Sequence, residues 1–211
     1  MKLNPDHTFE NFECGDEAHF DYVAAKGMAD NFGESYGSLC YCGLPYIGKT
    51  HLLMAVVNSL NKKGVPTVCI DCNGLEDLLD NEWTGVPELK KVMEGESRQK
   101  GIVLLDSLEA INGNAQLQQE VATLLNKCKE AGWSRLITSR TLTDYYKKTC
   151  KPLTDALEDG LVSFGPSREW IKDAARTCNH YKKARVFIEE EERLASFSSQ
   201  KQTAQSKLNN K

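Results

Sequence analysis

Residues 43–50 read GLPYIGKT, and the stretch sits between an apolar strand signal, LCYC at 39–42, and an amphipathic helix signal over Thr50–Lys62 that Gly64 closes. Few folds accommodate that succession. Gly43 and Gly48 let the backbone curl so that successive N–H groups converge on one point. Lys49 adds a positive charge there, the helix aims its positive end at it, and the Thr50 hydroxyl is a hard oxygen ligand. Converging donors, a cation and a hydroxyl suit a polyphosphate carrying Mg2+. The loop Gly43, Leu44, Pro45, Tyr46, Ile47, Gly48, Lys49 and Thr50 is therefore a candidate nucleotide site, with His51 beside it. The alternative is a structural strand–turn–helix without a ligand. Leu44, Pro45, Tyr46 and Ile47 are bulkier than the usual interior of such a loop.

Strand and helix signals alternate along the rest of the chain. Strands are predicted at 39–42, 65–71, 101–106, 135–140 and 160–164. Helices are predicted at 16–32 (with Phe20, Val23, Ala24 and Met28 on the packed side), 50–62, 75–80, 88–95 and 115–131, with one or two more reaching Leu157. This pattern predicts an α/β fold with a parallel five-stranded sheet between helical layers. Ligands in such sheets bind at the carboxyl ends of the strands. The Gly-rich loop, Asp106 and Ser139 all fall at such ends.

The run IVLLDSLEAI at 102–111 delivers Asp106 from a buried strand, where it can hold Mg2+ together with Thr50; a turn-capping aspartate is the other reading. Hydrolysis also needs a group that orients or deprotonates water. The next residue is Ser107, a poor base. Glu109 is the nearby candidate, against an ordinary solvated charge.

Net charge is −4 with pI about 5.7, so any DNA contact is expected to be weak or indirect. No apolar run approaches the ~20 residues of a membrane span, and the first residues lack a secretory apolar core. The eight cysteines lie in strand and helix signals, which points to reduced thiols in a cytoplasmic protein. Cys69 and Cys72 form a C-x-x-C without a second pair at ligand spacing, and read as packing thiols, as do Cys40 and Cys42. Tyr145, Tyr146, Lys147, Lys148 and Lys151 form a basic-aromatic patch, read as a solvated face or a single-strand contact. Trp83 and Trp133 read as anchors in packed loops. Lys182, Lys183 and Arg185 followed by Glu189–Glu192 predict a self-paired helix or a docking surface.

Together these residues resemble the AAA+ P-loop NTPase domain of the bacterial replication initiator DnaA and its truncated Hda-like relatives, and more distantly helicase loaders of the DnaC/IstB type. The resemblance covers about residues 8–170. TFENF at 8–12 resembles the segment packing beside the adenine, which implies roles for Phe9 and Phe12. LITSR resembles the sensor 1 strand, placing Thr138 or Ser139 near the γ-phosphate. Several family features are changed. Ser107 replaces the second acid, and Asp155-Ala156 stands where the family writes Ser-Arg. The family's helical lid is expected to be truncated after Pro166, with no DNA-binding helix-turn-helix following.

The expected organisation is a nucleotide-binding domain over 1–165, a helical partial lid over 166–194, and a disordered tail over 195–211. The resemblance implies ATP or ADP with Mg2+ as cofactors. It also implies replication proteins such as an initiator, helicase or sliding clamp as partners, with nucleotide-dependent self-assembly possible. The expected function is a nucleotide-dependent regulator or adaptor with weak or absent hydrolysis. The alternatives are an active helicase-loading or transposition-assisting ATPase and a scaffold that holds no nucleotide.

Overall fold

The computed structural model describes residues 3–13, 19–34, 37–75, 86–140, 149–158, 160–176 and 181–209. Residues 76–80 of the helix predicted at 75–80, Trp83 and the patch at 145–148 lie outside them. The described strands are β1 (Ser38–Cys42), β2 (Thr67–Asp71), β3 (Ile102–Asp106), β4 (Ser134–Ser139) and β5 (Leu161–Phe164). They form one parallel sheet in the order β2-β3-β4-β1-β5. The chain leaves β1 for the far edge of the sheet, opening a crevice at the carboxyl end of β1 where a ligand is expected.

Strand residues alternate between two apolar layers, as the two-residue period requires. Val103 and Leu105 of β3, and Cys40 and Cys42 of β1, join one core, with Leu89, Val92, Val121, Leu125 and Leu157 from helices. Ile102, Leu104, Leu39 and Tyr41 join the other, with Leu53, Val56, Val57 and Leu60. The result is a three-layer αβα domain. Its helices are α1 (His19–Asp30), α2 (Lys49–Lys62), α3 (Pro87–Met93), α4 (Ala115–Glu130) and α5 (Lys151–Glu158). Gly64 closes α2 at φ +75°, its N–H donating to Asn61 O at 3.0 Å.

Helix α1 is turned relative to the sequence reading. Ala24 and Met28 are buried as expected, but Phe20 and Val23 are 56% and 50% exposed. The buried set is Asp21, Ala24, Ala25, Met28 and Ala29, a helical i, i+3, i+4, i+7, i+8 face. Polar contacts choose that face. The Tyr41 hydroxyl donates to the Asp21 carbonyl, and the Ser163 hydroxyl bonds the Asp21 carboxyl.

The chain divides into two compact units, Met1–Leu44 with Gly48–Gly165, and Pro45–Ile47 with Pro166–Lys211. In the second unit the helical segment expected over 166–194 holds α6 (Arg168–Ala174) and the first part of α7 (Lys182–Asn209). Ser167 caps α6 by accepting the Trp170 N–H at 3.2 Å. The glutamates of α7 are paired: Glu189 with Arg185 (2.7 Å), Glu190 with Arg193, Glu191 with Arg168 (2.7 Å) and Glu192 with Lys172 (2.6 Å). Helix α7 runs on through 195–209, where the polar composition predicted no order. A nucleated helix propagates through Ala, Gln, Lys and Leu at little cost per residue, which composition alone does not register.

Candidate functional site

The loop after β1 is built by backbone geometry. Gly48 is the N-cap of α2 at φ 92°, with no side chain capping the helix, so the first N–H groups of α2 depend on a ligand or solvent. Tyr46 adopts φ 66°, a left-handed conformation uncommon for a non-glycine residue. The residue is 58% exposed, and its ring meets Phe187 edge-on at 6.2 Å within the second unit. Leu44 and Ile47 are buried, which accounts for the bulk inside the loop. Gly43 N–H donates to the Ser139 carbonyl at 3.1 Å, tying the loop to the end of β4.

Lys49 folds back across this loop. Its Nζ donates to the carbonyls of Gly43 (2.9 Å) and Leu44 (2.8 Å). Burial pulls its pKa below the usual lysine value, with Glu109 and then Asp106 opposing and Arg140 adding to the decrease. The ammonium is thus held by weak carbonyl acceptors beside two carboxylates, an arrangement that a phosphate oxygen can replace with a stronger charge-assisted bond.

Asp106 is buried at the end of β3. Thr50 Oγ1 donates to it at 3.0 Å (Oδ1) and 3.2 Å (Oδ2), and Thr138 Oγ1 donates to Oδ1 at 2.5 Å. Thr138 also accepts the Ser107 N–H at 2.8 Å. Of the two sensor candidates, Thr138 is therefore the one whose side chain touches Asp106, while Ser139 meets the loop through its carbonyl. Both are buried. A hydroxyl and a carboxylate one hydrogen bond apart are the hard oxygens Mg2+ takes, so the residues fit that ion. Among the described residues no group of His, Cys, Asp or Glu is placed to hold a metal by itself. Phosphate and water would supply the remaining ligands.

Ser107 sits at φ 60°, ψ 49°, and this left-handed residue turns the chain into the short 3-10 turn Leu108–Ile111. Glu109 lies in that turn and is partly buried. Its Oε1 pairs with Arg140 Nε at 3.2 Å. Arg140 was missed by the sequence reading, although it is the letter that follows LITS.

Phe9 and Phe12 are both buried. Phe12 meets His51 edge-on at 5.3 Å and stacks on Tyr22 at 6.1 Å; Phe9 meets Tyr22 edge-on at 5.7 Å. His51 Nε2 lies 3.0 Å from both Thr8 O and Asn11 Oδ1, and its ring stacks on His7 at 4.5 Å. His51 thus fastens the N-terminal segment to α2 next to the loop.

Burial pushes the thiols of Cys69 and Cys72 up to about 11 and about 12, so both are poor nucleophiles at neutral pH. Trp133 is buried, with Nε1 donating to Gln99 O at 2.9 Å and Ser97 Oγ at 3.1 Å. No described helix is long and apolar enough to cross a membrane.

The sequence pattern of the bacterial DnaA ATPase domain matches residues 3–163. The chain belongs to that family. It is 31% identical over 126 residues to the chromosomal replication initiator DnaA of Campylobacter concisus, which covers 59% of this chain and 28% of that protein. It is 28% identical over 164 residues to DnaA of Campylobacter jejuni subsp. jejuni, covering 76% and 37%. The matches thus span about a third of these relatives' length. Among solved structures, domain III of Thermotoga maritima DnaA aligns with TM-score 0.65 and 28% identity, over 83% of this chain and 74% of that one. AMPPCP-bound DnaA from Aquifex aeolicus aligns with TM-score 0.67 at 21% identity, over 82% and 56%, and shares the fold. The DnaC helicase loader shares it too, at TM-score 0.60 and 17% identity over 76% and 97%.

Proposed function

We propose that this chain binds ATP or ADP with Mg2+ and acts as a nucleotide-dependent regulator or adaptor in DNA replication, with slow intrinsic turnover. The observation that carries the reading is the chain of contacts Thr50–Asp106–Thr138 beside Lys49, at the carboxyl edge of the sheet and the open N-terminus of α2. The nucleotide-bound DnaA of Aquifex aeolicus, with the same fold, supports it.

The roles divide as follows. Lys49 and the first N–H groups of α2 receive the phosphates. Thr50 and Asp106 hold Mg2+, which neutralises phosphate charge when bound, and Thr138 fixes the rotamer of Asp106. Slow turnover follows from Ser107, whose backbone N–H is engaged by Thr138 and whose hydroxyl is a poor base. The partner class is a replication protein: an initiator, a helicase or a sliding clamp. The helicase-loading ATPase remains the second reading because Glu109 is close enough for its charge to act on Lys49.

Equilibrium binding of fluorescent ADP and ATP, with and without Mg2+, tests the proposal. Saturable binding that Lys49→Ala abolishes is the expected result. Equal affinity in wild type and Lys49→Ala, or no binding to either, refutes it. Rapid steady-state ATP hydrolysis by the isolated chain would favour the loader.

A further inference from the structure

The phosphate loop carries two left-handed residues, Gly48 at φ 92° and Tyr46 at φ 66°. Left-handed residues within such a turn bend successive N–H groups toward one anion. Glycine takes that conformation freely, whereas in tyrosine the Cβ crowds the backbone. Tyr46 therefore holds it against its own preference, and something beyond the backbone must offset the cost. Burial does not, since the residue is 58% exposed. Its ring instead meets that of Phe187, with centroids 6.2 Å apart and planes at 65°, within the range of favourable edge-to-face pairs. Pro45–Ile47 form one compact unit with Pro166–Lys211, so the contact lies inside that unit. Helix α7 is anchored by residues other than Phe187. Ala184 and Ile188 are fully buried, and Glu191 and Glu192 pair with Arg168 and Lys172. Tyr181, just ahead of the helix, is fully buried and meets Trp170 edge-on at 5.1 Å.

We propose that Phe187 of α7 positions the phosphate loop for nucleotide, by holding Tyr46 in its left-handed conformation through the ring contact. The inference rests on the nucleotide-binding reading and names the residue outside the loop that sets its shape. Phe187 is a positioning residue: it acts through the backbone of Tyr46 and not on the ligand. The loop has two states, one with Tyr46 left-handed and its N–H groups converging, the other with Tyr46 relaxed and the cradle opened. Nucleotide binds the first, so the observed affinity is the intrinsic affinity scaled by the fraction of chains in that state. An aromatic pair of this kind favours its own state by about three- to tenfold. ATP and ADP gain by the same factor, because the loop receives phosphates that both carry. No covalent bond is made or broken.

The test is equilibrium binding of fluorescent ATP and ADP to the intact chain, for wild type, Phe187→Ala, Phe187→Tyr, Tyr46→Gly and the double variant Tyr46→Gly/Phe187→Ala. Phe187→Ala is expected to weaken both nucleotides about three- to tenfold, by one common factor, while Phe187→Tyr keeps the ring and stays within about 1.5-fold of wild type. In the Tyr46→Gly background, Phe187→Ala should change neither nucleotide by more than about 1.5-fold, because glycine reaches the left-handed conformation unaided. That rescue separates the inference from damage to the packing of α7, which would weaken binding equally in both backgrounds. An equal loss in both backgrounds therefore overturns it. Loss of binding in Tyr46→Gly alone overturns it as well, since the tyrosine ring would then be serving the ligand directly. Phe187→Ala at wild-type affinity, with binding abolished by Lys49→Ala, sinks this inference alone. Failure of wild type to bind either nucleotide sinks both it and the nucleotide-binding reading.

Discussion

Replacing Thr138 by Val tests the geometry of the site without a ligand. Val keeps the branching and approximate size of Thr138 and replaces its hydroxyl by a methyl group. That hydroxyl has two partners. It donates to Asp106 Oδ1 at 2.5 Å and accepts the Ser107 N–H at 2.8 Å, and Thr138 is 1% exposed. Losing a hydrogen bond to a charged group costs about 1.5–3 kcal/mol, and leaving a partly buried N–H unmade adds at least about 1 kcal/mol. The expected loss is about 3 kcal/mol. For a chain of 211 residues that is a fall in Tm of roughly 6–12 °C. Thr138→Ser keeps the hydroxyl and loses one methyl, so it should cost only about 1 kcal/mol. Urea unfolding of wild type and both variants measures this, with m held constant as the check that only stability moved. A double-mutant cycle with Asp106→Asn should return a coupling of about 1–2 kcal/mol. A Thr138→Val protein within about 0.5 kcal/mol of wild type, or no less stable than Thr138→Ser, would refute the assignment of Thr138 as the residue holding Asp106.

Two further outcomes follow from positions away from the phosphate loop. Burial raises the Asp21 pKa above its ordinary 3.8, with the Ser163 hydroxyl opposing in part. A raised folded-state pKa means that the folded protein binds the proton more tightly than the unfolded one, so this contribution is full below pH 3.8 and is lost as pH rises through the folded value. Wild type minus Asp21→Asn stability, followed by urea unfolding from acid to neutral pH, should therefore decline across that window; a flat difference would remove the effect. At the other end of the sheet, a Cβ on Gly101 would lie 2.7 Å from ring atoms of Trp133, which is pinned through its indole N–H. Gly101→Ala should cost about 1–3 kcal/mol while nucleotide affinity in the folded protein is unchanged, and wild-type stability would show that the ring can move.

Much of this architecture was legible as pattern. The five strands and the helices at α2, α3 and α4 follow from apolar period and from glycine at turns, because backbone torsion and side-chain direction repeat on a local scale. The Gly-rich strand–loop–helix was legible for the same reason: its contacts are made by its own backbone and by a lysine a few residues away. Helix α1 shows the limit. Its apolar letters allowed a face containing Phe20 and Val23, but the fold selected the face carrying Asp21, because Tyr41 and Ser163 supply that residue with partners from β1 and β5. Hydrophobic period does not record where a buried polar group finds its hydrogen bonds.

The sequence by itself determined that the chain is a parallel α/β domain with a Gly-rich loop, a lysine and a strand-end aspartate on one edge. Each of those facts is a local run of letters. Tertiary structure decided which neighbours complete the site. Thr138 and Ser139 are equivalent hydroxyls in sequence, yet adjacent strand residues point to opposite faces, and the register that pairs Leu105 with Ile137 sends the Thr138 side chain to Asp106 across a separation of 32 residues. Glu109 and Arg140 likewise met only because Ser107 turns left-handed after β3 and because β4 ends beside Gly43. Such pairings depend on strand order and register, which are set by the packing of the two apolar layers together rather than by any one segment.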